Sequence, residues 1–266
     1  MASRGKRWLT GCGLGCGGTL VLGLIVLLVG SVVMTGPLRQ AVAAREELEA
    51  RHGDQASYTP PADGAIAPDR LARFLDVREA VMGTCESFAA TGRQFARMDA
   101  LDEDAPKREV LTEVGRLTRE VFGMVPHLGA FFEARNQALL AADMGLGEYT
   151  YIYIMAYHRE LRTTPTGDAV FGDPELNARV HAALQQMLRN QLAALPPDAP
   201  ARTALMAELD LLRDAPQRLP WQDGLPAAVV ASLAPQRQRL DDLFCAATVG
   251  LEFNTNRTRG LSVVSE

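Results

Sequence analysis

The stretch EYTYIYIMAYH, from Glu148 to His158, is where the fold class is decided. Its tyrosines at 149, 151, 153 and 157 all fall at odd positions, and strict alternation with high β-propensity favours a strand. Read with a helical step, the same region puts Tyr149, Ile152, Tyr153, Ala156, Tyr157 and Leu161 on one stripe. An isolated strand with no partner would leave its backbone donors and acceptors unmet. Gly147 followed by Glu148 also suits a helix start, since a carboxylate there faces the positive end of the helix dipole. The segment therefore reads as helix, and the fold as all-α.

Helical spacing holds on both sides. Upstream, Pro37 to His52 reads as a short, highly charged stalk helix with Leu38, Ala41, Val42 and Leu48 as its main apolar contacts. Gly53, Pro60, Pro61 and Gly64 mark the chain up to Ile66 as a linker. Pro68 then stands at a first-turn position beside Asp69, a favourable place for each. Leu71, Phe74, Leu75, Met82, Cys85, Phe88, Ala89 and Phe95 keep helical spacing to Met98. After an acidic turn, Asp99 to Asp104, Pro106 restarts the pattern, which runs towards Met144 with a kink or break at Pro126 and a stop at Gly145 and Gly147.

Downstream of the tyrosines, Thr163 to Asp173 reads as a polar loop. Pro174 opens a helix carrying Leu176, Val180, Leu184, Met187, Leu188 and Leu192, which Pro196-Pro197 ends. A shorter helix from Pro200 to about Arg213 places Leu205, Leu209 and Leu212 on one stripe. The last, Pro226 to about Phe253, contains Pro235 and so is kinked or split. This gives about seven helical segments, an irregular multi-helix bundle over 68–253, with a stalk and linker over 37–67 and a flexible tail over 254–266.

Residues 1–36 carry a different message. No charge occurs between Arg7 and Arg39, and Thr19 to Met34 reads TLVLGLIVLLVGSVVM. A bilayer core about 30 Å thick needs roughly 20 apolar residues at helical rise, and Gly15 to Met34 supplies them. Arg4, Lys6 and Arg7 cluster before the span, while Arg39, Arg45 and Arg51 after it are interleaved with glutamates. That clustering favours a cytoplasmic N-terminus and a domain outside the cytoplasm, periplasmic or extracellular. A signal peptide cut near Ala41-Val42-Ala43 is the alternative, and the apolar run is long for one. Leu9-Thr10-Gly11-Cys12 resembles a lipobox but precedes the apolar run instead of following it. Gly11, Gly15, Thr19 and Gly23 recur every four residues, a small-residue face suited to helix packing in a membrane. Cys12 and Cys16, one turn apart with no further ligands nearby, read as small apolar residues.

The whole chain carries a net charge of −5, and removing Arg4, Lys6 and Arg7 leaves about −8 beyond the span, which argues against nucleic acid as a partner. Cys85 and Cys245 are the two cysteines of the exported part. An oxidising compartment permits them to pair, and a loop of that length is worth about 4 kcal/mol in the chain-entropy model; two separately buried thiols are the alternative.

A search for chemistry finds no constellation. His52, His127, His158 and His181 have no metal-ligand spacing, and Glu49-Ala-Arg-His52 is one Glu-x-x-His where a di-metal bundle needs two. Nucleotide loops, serine elbows, zinc-protease helices and Cys-x-x-Cys pairs are absent from the sequence. No cofactor, metal or catalytic residue is expected. The expectation is a single-pass membrane protein of the cell envelope whose helical domain serves protein interaction, self-association or scaffolding. The alternative is a ligand-binding or sensing module with an apolar cavity near the helix of Tyr149, Tyr153 and Tyr157, a stripe that would form a ligand or partner face.

Overall fold

The computed structural model describes residues 39–99, 127–163, 174–215 and 218–252. Among them every regular element is helical and no strand occurs. No helix of the described residues is long and apolar enough to cross a membrane. The expected span over 15–34, the face Gly11, Gly15, Thr19 and Gly23, the pair Cys12 and Cys16, Pro126 and the tail over 254–266 lie outside the described residues.

Helix α1 covers 39–52. Ala41, Ala44 and Leu48 are buried, and their spacing of three and four puts them on one face. Leu48 belongs to the main core cluster. The segment is thus part of the domain and not a stalk standing clear of it. Its many charges occupy the outer face, where Arg45 pairs with Glu49 one turn on.

The Pro/Gly-rich stretch that follows is tied down just as firmly, by side-chain hydrogen bonds. Gln55 Nε2 donates to Thr150 Oγ1 (2.7 Å), Asn190 Nδ2 to the carbonyls of Ala56 and Tyr58 (3.0 and 3.2 Å), and Tyr151 Oη to Gly64 O (2.8 Å). Segment 53–67 therefore carries no sheet or helix ladder over most of its length, yet its carbonyls at Ala56, Tyr58, Pro61 and Gly64 accept from Asn190, Gln191 and Tyr151. Gly64, at φ +75°, adopts a conformation that favours glycine, and a Cβ there would stand 3.0 Å from Tyr151 Oη.

Helix α2 (Pro68–Asp99) begins at the expected proline. Helix α3, described over 127–141, stops earlier than the sequence pattern suggests. Asp143 sits in the left-handed region (φ 50°), its N–H bonds Leu140 O (3.2 Å), and Met144 N–H bonds Leu139 O (3.0 Å). This pair of bonds around one left-handed residue closes a helix C-terminus, with aspartate in the place glycine usually takes. Gly145 is instead the N-cap of α4 (Leu146–Ala156), and Gly147 lies in its first turn. A Cβ on Gly147 would be 2.5 Å from Gln55 O, so glycine is there to let two backbones approach.

Helix α4 is the centre of the molecule. All of its residues but Glu148 are buried, and Glu148 makes a bidentate ion pair with Arg70. A helix buried on every side is apolar on every side, which is why both strand-like and helix-like patterns fit its sequence. It continues past Tyr157 as α5 (His158–Thr163).

Helices α6 (Pro174–Ala194) and α7 (Ala201–Asp214) pack as a hairpin over Leu188, Leu195, Leu205 and Leu212. Arg202 Nη1 donates to the carbonyl of Leu192 (3.1 Å) at the end of α6, a favourable place for a cation. The final expected helix is divided at Pro235: α8 (Ala227–Leu233), a 3₁₀ turn over Ala234–Gln236 and α9 (Arg237–Asp242) succeed one another. A 3₁₀ turn at Ala246–Thr248 then leads to α10 (Val249–Glu252).

Candidate functional site

Tyr149, Tyr153 and Tyr157 recur every four residues and share one face of α4, as the helical reading requires, but that face has no exposed surface: each is 0 % exposed. The rings form a ladder, with centroids 6.1 Å apart for Tyr149 and Tyr153 and 4.8 Å for Tyr153 and Tyr157. Phe74 packs against Tyr149 at 5.3 Å and Phe244 against Tyr157 at 5.1 Å. The candidate partner face is core, out of a partner's reach.

What the ladder holds is a buried charge. Arg78, from α2, is 0 % exposed. Its Nη1 pairs with Glu252 and donates to Tyr149 Oη (3.0 Å), and its Nη2 donates to Leu243 O (3.1 Å). Tyr149 Oη in turn donates to the other Glu252 oxygen (2.8 Å). The guanidinium carbon lies 5.1 Å from the Tyr153 ring centre and 5.6 Å from that of Tyr157, within cation–π range. Burial works against the charge on Arg78, but Glu252 and the surrounding tyrosine oxygens outweigh it and hold the group well above its ordinary range. Burial likewise pushes the phenols of Tyr149, Tyr153 and Tyr157 up, so all three stay neutral hydroxyls.

A second buried arginine, Arg135 on α3, closes the other side. Its Nη1 donates to the carbonyls of Leu251 (3.2 Å) and Glu252 (3.0 Å), at the end of α10. Asn136 Nδ2 donates to Ala41 O (2.9 Å), joining α3 to α1. Desolvation lowers the Arg135 pKa from its ordinary value. Two arginines thus grip the last described turn of the chain. Cys85 and Cys245 are joined by a disulfide on the same side, with Cα atoms 6.0 Å apart.

Arg78 had a readable signal: it falls in phase with Leu71, Phe74, Leu75, Val81 and Cys85, an arginine where the stripe calls for an apolar residue. Arg135 carries the same signal, in phase with Leu128, Phe131, Phe132 and Leu139, whereas Glu252 stands in no conspicuous local pattern.

The opposite side of α4 lies beneath a surface cleft. A cleft of about 240 Å³ is lined by Ala62, Asp63, Gly64, Tyr151, Gln191, Ala201, Ala204, Leu205, Trp221, Gly224 and Pro226. Trp221 has φ 60°, a conformation that bulky side chains rarely adopt. It is held there by the buried carboxylate of Glu208, whose Oε1 accepts the Trp221 N–H (2.7 Å), and by Gly224 N–H on Trp221 O (2.9 Å). Arg218 pairs with Asp223 at 2.7 Å and approaches Glu208 at 3.9 Å. Strained backbone over-determined by its surroundings concentrates at functional sites. A tryptophan at an unremarkable place in a loop gives no sequence signal for such a geometry.

The histidines are dispersed. His52 faces Asp143 at 3.5 Å, His158 Nε2 contacts Pro220 O at 2.9 Å, and His181 is buried on α6 with its pKa lowered by desolvation. Among the described residues no three His, Cys, Asp or Glu side chains are grouped to hold a metal ion. Comparison with protein-family models, with characterised proteins and with solved structures finds no match to this chain.

Proposed function

We propose that this is a single-pass, membrane-anchored protein of the cell envelope whose helical domain lies outside the cytoplasm and works by binding another protein. The observation that carries the reading is where apolar surface is left uncovered. Among the described residues the exposed large apolar side chains are Met206 (50 %), Leu211 (44 %) and Val230 (51 %), and all lie on α7 and α8, the two helices that border the Trp221 cleft. Leu211 shares a face of α7 with the cleft residue Ala204, and Val230 lies one turn beyond the cleft residue Pro226; exposed apolar side chains flanking a tryptophan cleft are what protein-binding sites look like. The Cys85–Cys245 disulfide supports an oxidising compartment, and the uncharged run before Arg39 supports the anchor.

Two measurements test this. Reporters fused at either end should place the N-terminus inside and the C-terminus outside; a cytoplasmic C-terminal reporter removes the envelope assignment. A photo-crosslinking residue at position 206, 211 or 230 should capture a protein, or a second copy, far more than one at Glu79 or Gln238. Uniform capture at all five positions would remove the interaction surface.

A further inference from the structure

We propose that the Trp221 cleft receives one cationic side chain, an arginine or lysine, from the protein that docks on α7 and α8; the assignment rests on the interaction reading above and gives its partner a chemistry. Size argues first. Pockets for drug-sized ligands run from about 300 to 1,000 Å³, and this cleft, at about 240 Å³, is below that range and suits a single long side chain.

Charge and aromaticity argue next. Asp63 stands in the lining with one oxygen accepting the Ala65 N–H (3.0 Å). Among the described residues no arginine or histidine is within ion-pair distance of it. Asp223 and Glu208 add two carboxylates next to the lining residues Gly224 and Trp221, and Arg218 is already engaged with both. The Gly64 carbonyl has accepted one bond, from Tyr151, and keeps a second lone pair. The surroundings are thus rich in acceptors. Trp221 and Tyr151 contribute aromatic walls, and a guanidinium or ammonium meets such walls favourably.

Continuity with exposed apolar surface favours a protein as the source over a free amine. Ala204, in the cleft, and exposed Leu211 are seven residues apart on α7 and so share a helix face, and Pro226, in the cleft, is the N-cap of α8 whose carbonyl accepts from the N–H of exposed Val230, one turn on (3.1 Å). A partner lying along these faces has the cleft within its footprint.

The test uses the full chain with Trp8→Phe, which leaves Trp221 as the reporter. Three probes are titrated: acetyl-Ala-Arg-Ala-amide, its norleucine analogue, and agmatine. Saturable change of Trp221 emission by the arginine peptide is expected, with the norleucine peptide about tenfold weaker, since it keeps the stem and lacks the charge. Asp63→Asn should weaken the arginine peptide about fivefold, the size of one exposed charge contact, and Asp63→Glu should restore most of it. Asparagine keeps an acceptor for Ala65, so an unchanged melting temperature is expected and checks that folding is not at issue. Equal binding of the norleucine peptide, tighter binding of agmatine than of the peptide, or no response to any probe would each overturn the proposal. Photo-crosslinking at 206, 211 and 230 reads the docking surface independently, so loss of the cation site and loss of the interaction reading are separate results.

Discussion

Tyr149 and Tyr151 stand two residues apart on one helix, and each hydroxyl makes a bond of 2.8 Å, but they belong to regions of opposite character. Tyr149 bonds a carboxylate inside a sealed centre where Arg78 and Glu252 have no exposed side-chain surface. Tyr151 bonds a backbone carbonyl under an open cleft whose tryptophan is held in a strained conformation. The centre fixes charges so that they cannot be exchanged with solvent. The cleft leaves acceptors uncommitted. Holding the fold and the binding proposed for the cleft fall to places that do not share side chains, because a half-satisfied buried network is costly while an open one is useful.

The sharpest way to break this comparison is to unpair the centre. Glu252→Ala should cost about 3–5 kcal/mol, the penalty for stranding a buried charge, measured by urea unfolding. A loss below about 1 kcal/mol would mean that Arg78 finds water, and that the centre is not sealed. Reducing the Cys85–Cys245 bridge, or replacing both cysteines by serine, comes next. The residues are 160 apart in sequence, and removing such a closure typically costs about 2–4 kcal/mol. Because the bridge tethers the chain that leads into α10, reduction should also speed hydrogen exchange at 245–252 more than in α7. Equal acceleration in both would show that the bridge does not serve the centre in particular.

How much of this was legible beforehand depends on whether a signal is local. Pro68, Pro174 and the Pro196-Pro197 pair mark helix ends by backbone chemistry alone, and they stand where the pattern puts them. The charges of α1 drew attention from its stripe of Ala41, Ala44 and Leu48, small residues that bury well because they are small. Segment 53–67 reads as a linker because glycine and proline preclude regular structure, but its carbonyls are met by Asn190, Gln191 and Tyr151 and its Gln55 bonds Thr150, partners about ninety residues away or more. Sequence carries no mark of such bonds. Periodicity marks the tyrosine stripe, but it does not distinguish an aromatic face that meets solvent from one that meets Phe74, Phe244 and a buried arginine. The cleft rests on the dihedral of Trp221, which no local pattern requires.

The paired tyrosines give a finer measure. Tyr149→Phe removes a hydroxyl that bonds two charged groups and should cost about 1.5–3 kcal/mol, whereas Tyr151→Phe removes a bond to a neutral carbonyl and should cost about 0.5–1.5 kcal/mol. Equal costs would erase the distinction between the two sides of α4.

The smallest expected effect concerns pH, and it separates the regions by their chemistry. Arginine holds its proton throughout the neutral and mildly acid range, so the cations of the centre do not titrate there. His181, buried on α6, the helix that also carries the cleft residue Gln191, has its pKa lowered from the ordinary 6.5 by desolvation. The unfolded chain therefore takes up a proton as pH falls through 6.5 before the folded chain does, so the stability tied to the neutral imidazole is complete above 6.5 and declines below it, levelling off once the folded imidazole protonates as well. Unfolding free energies followed from pH 7.5 downwards should bend near 6.5 in the native protein, and His181→Gln should flatten that bend while leaving stability above it nearly unchanged. If the bend survives the substitution, the acid sensitivity resides elsewhere. If it disappears and hydrogen exchange in α6 rises on acidification ahead of exchange in α4, then α6 loosens under conditions that leave the arginine centre intact.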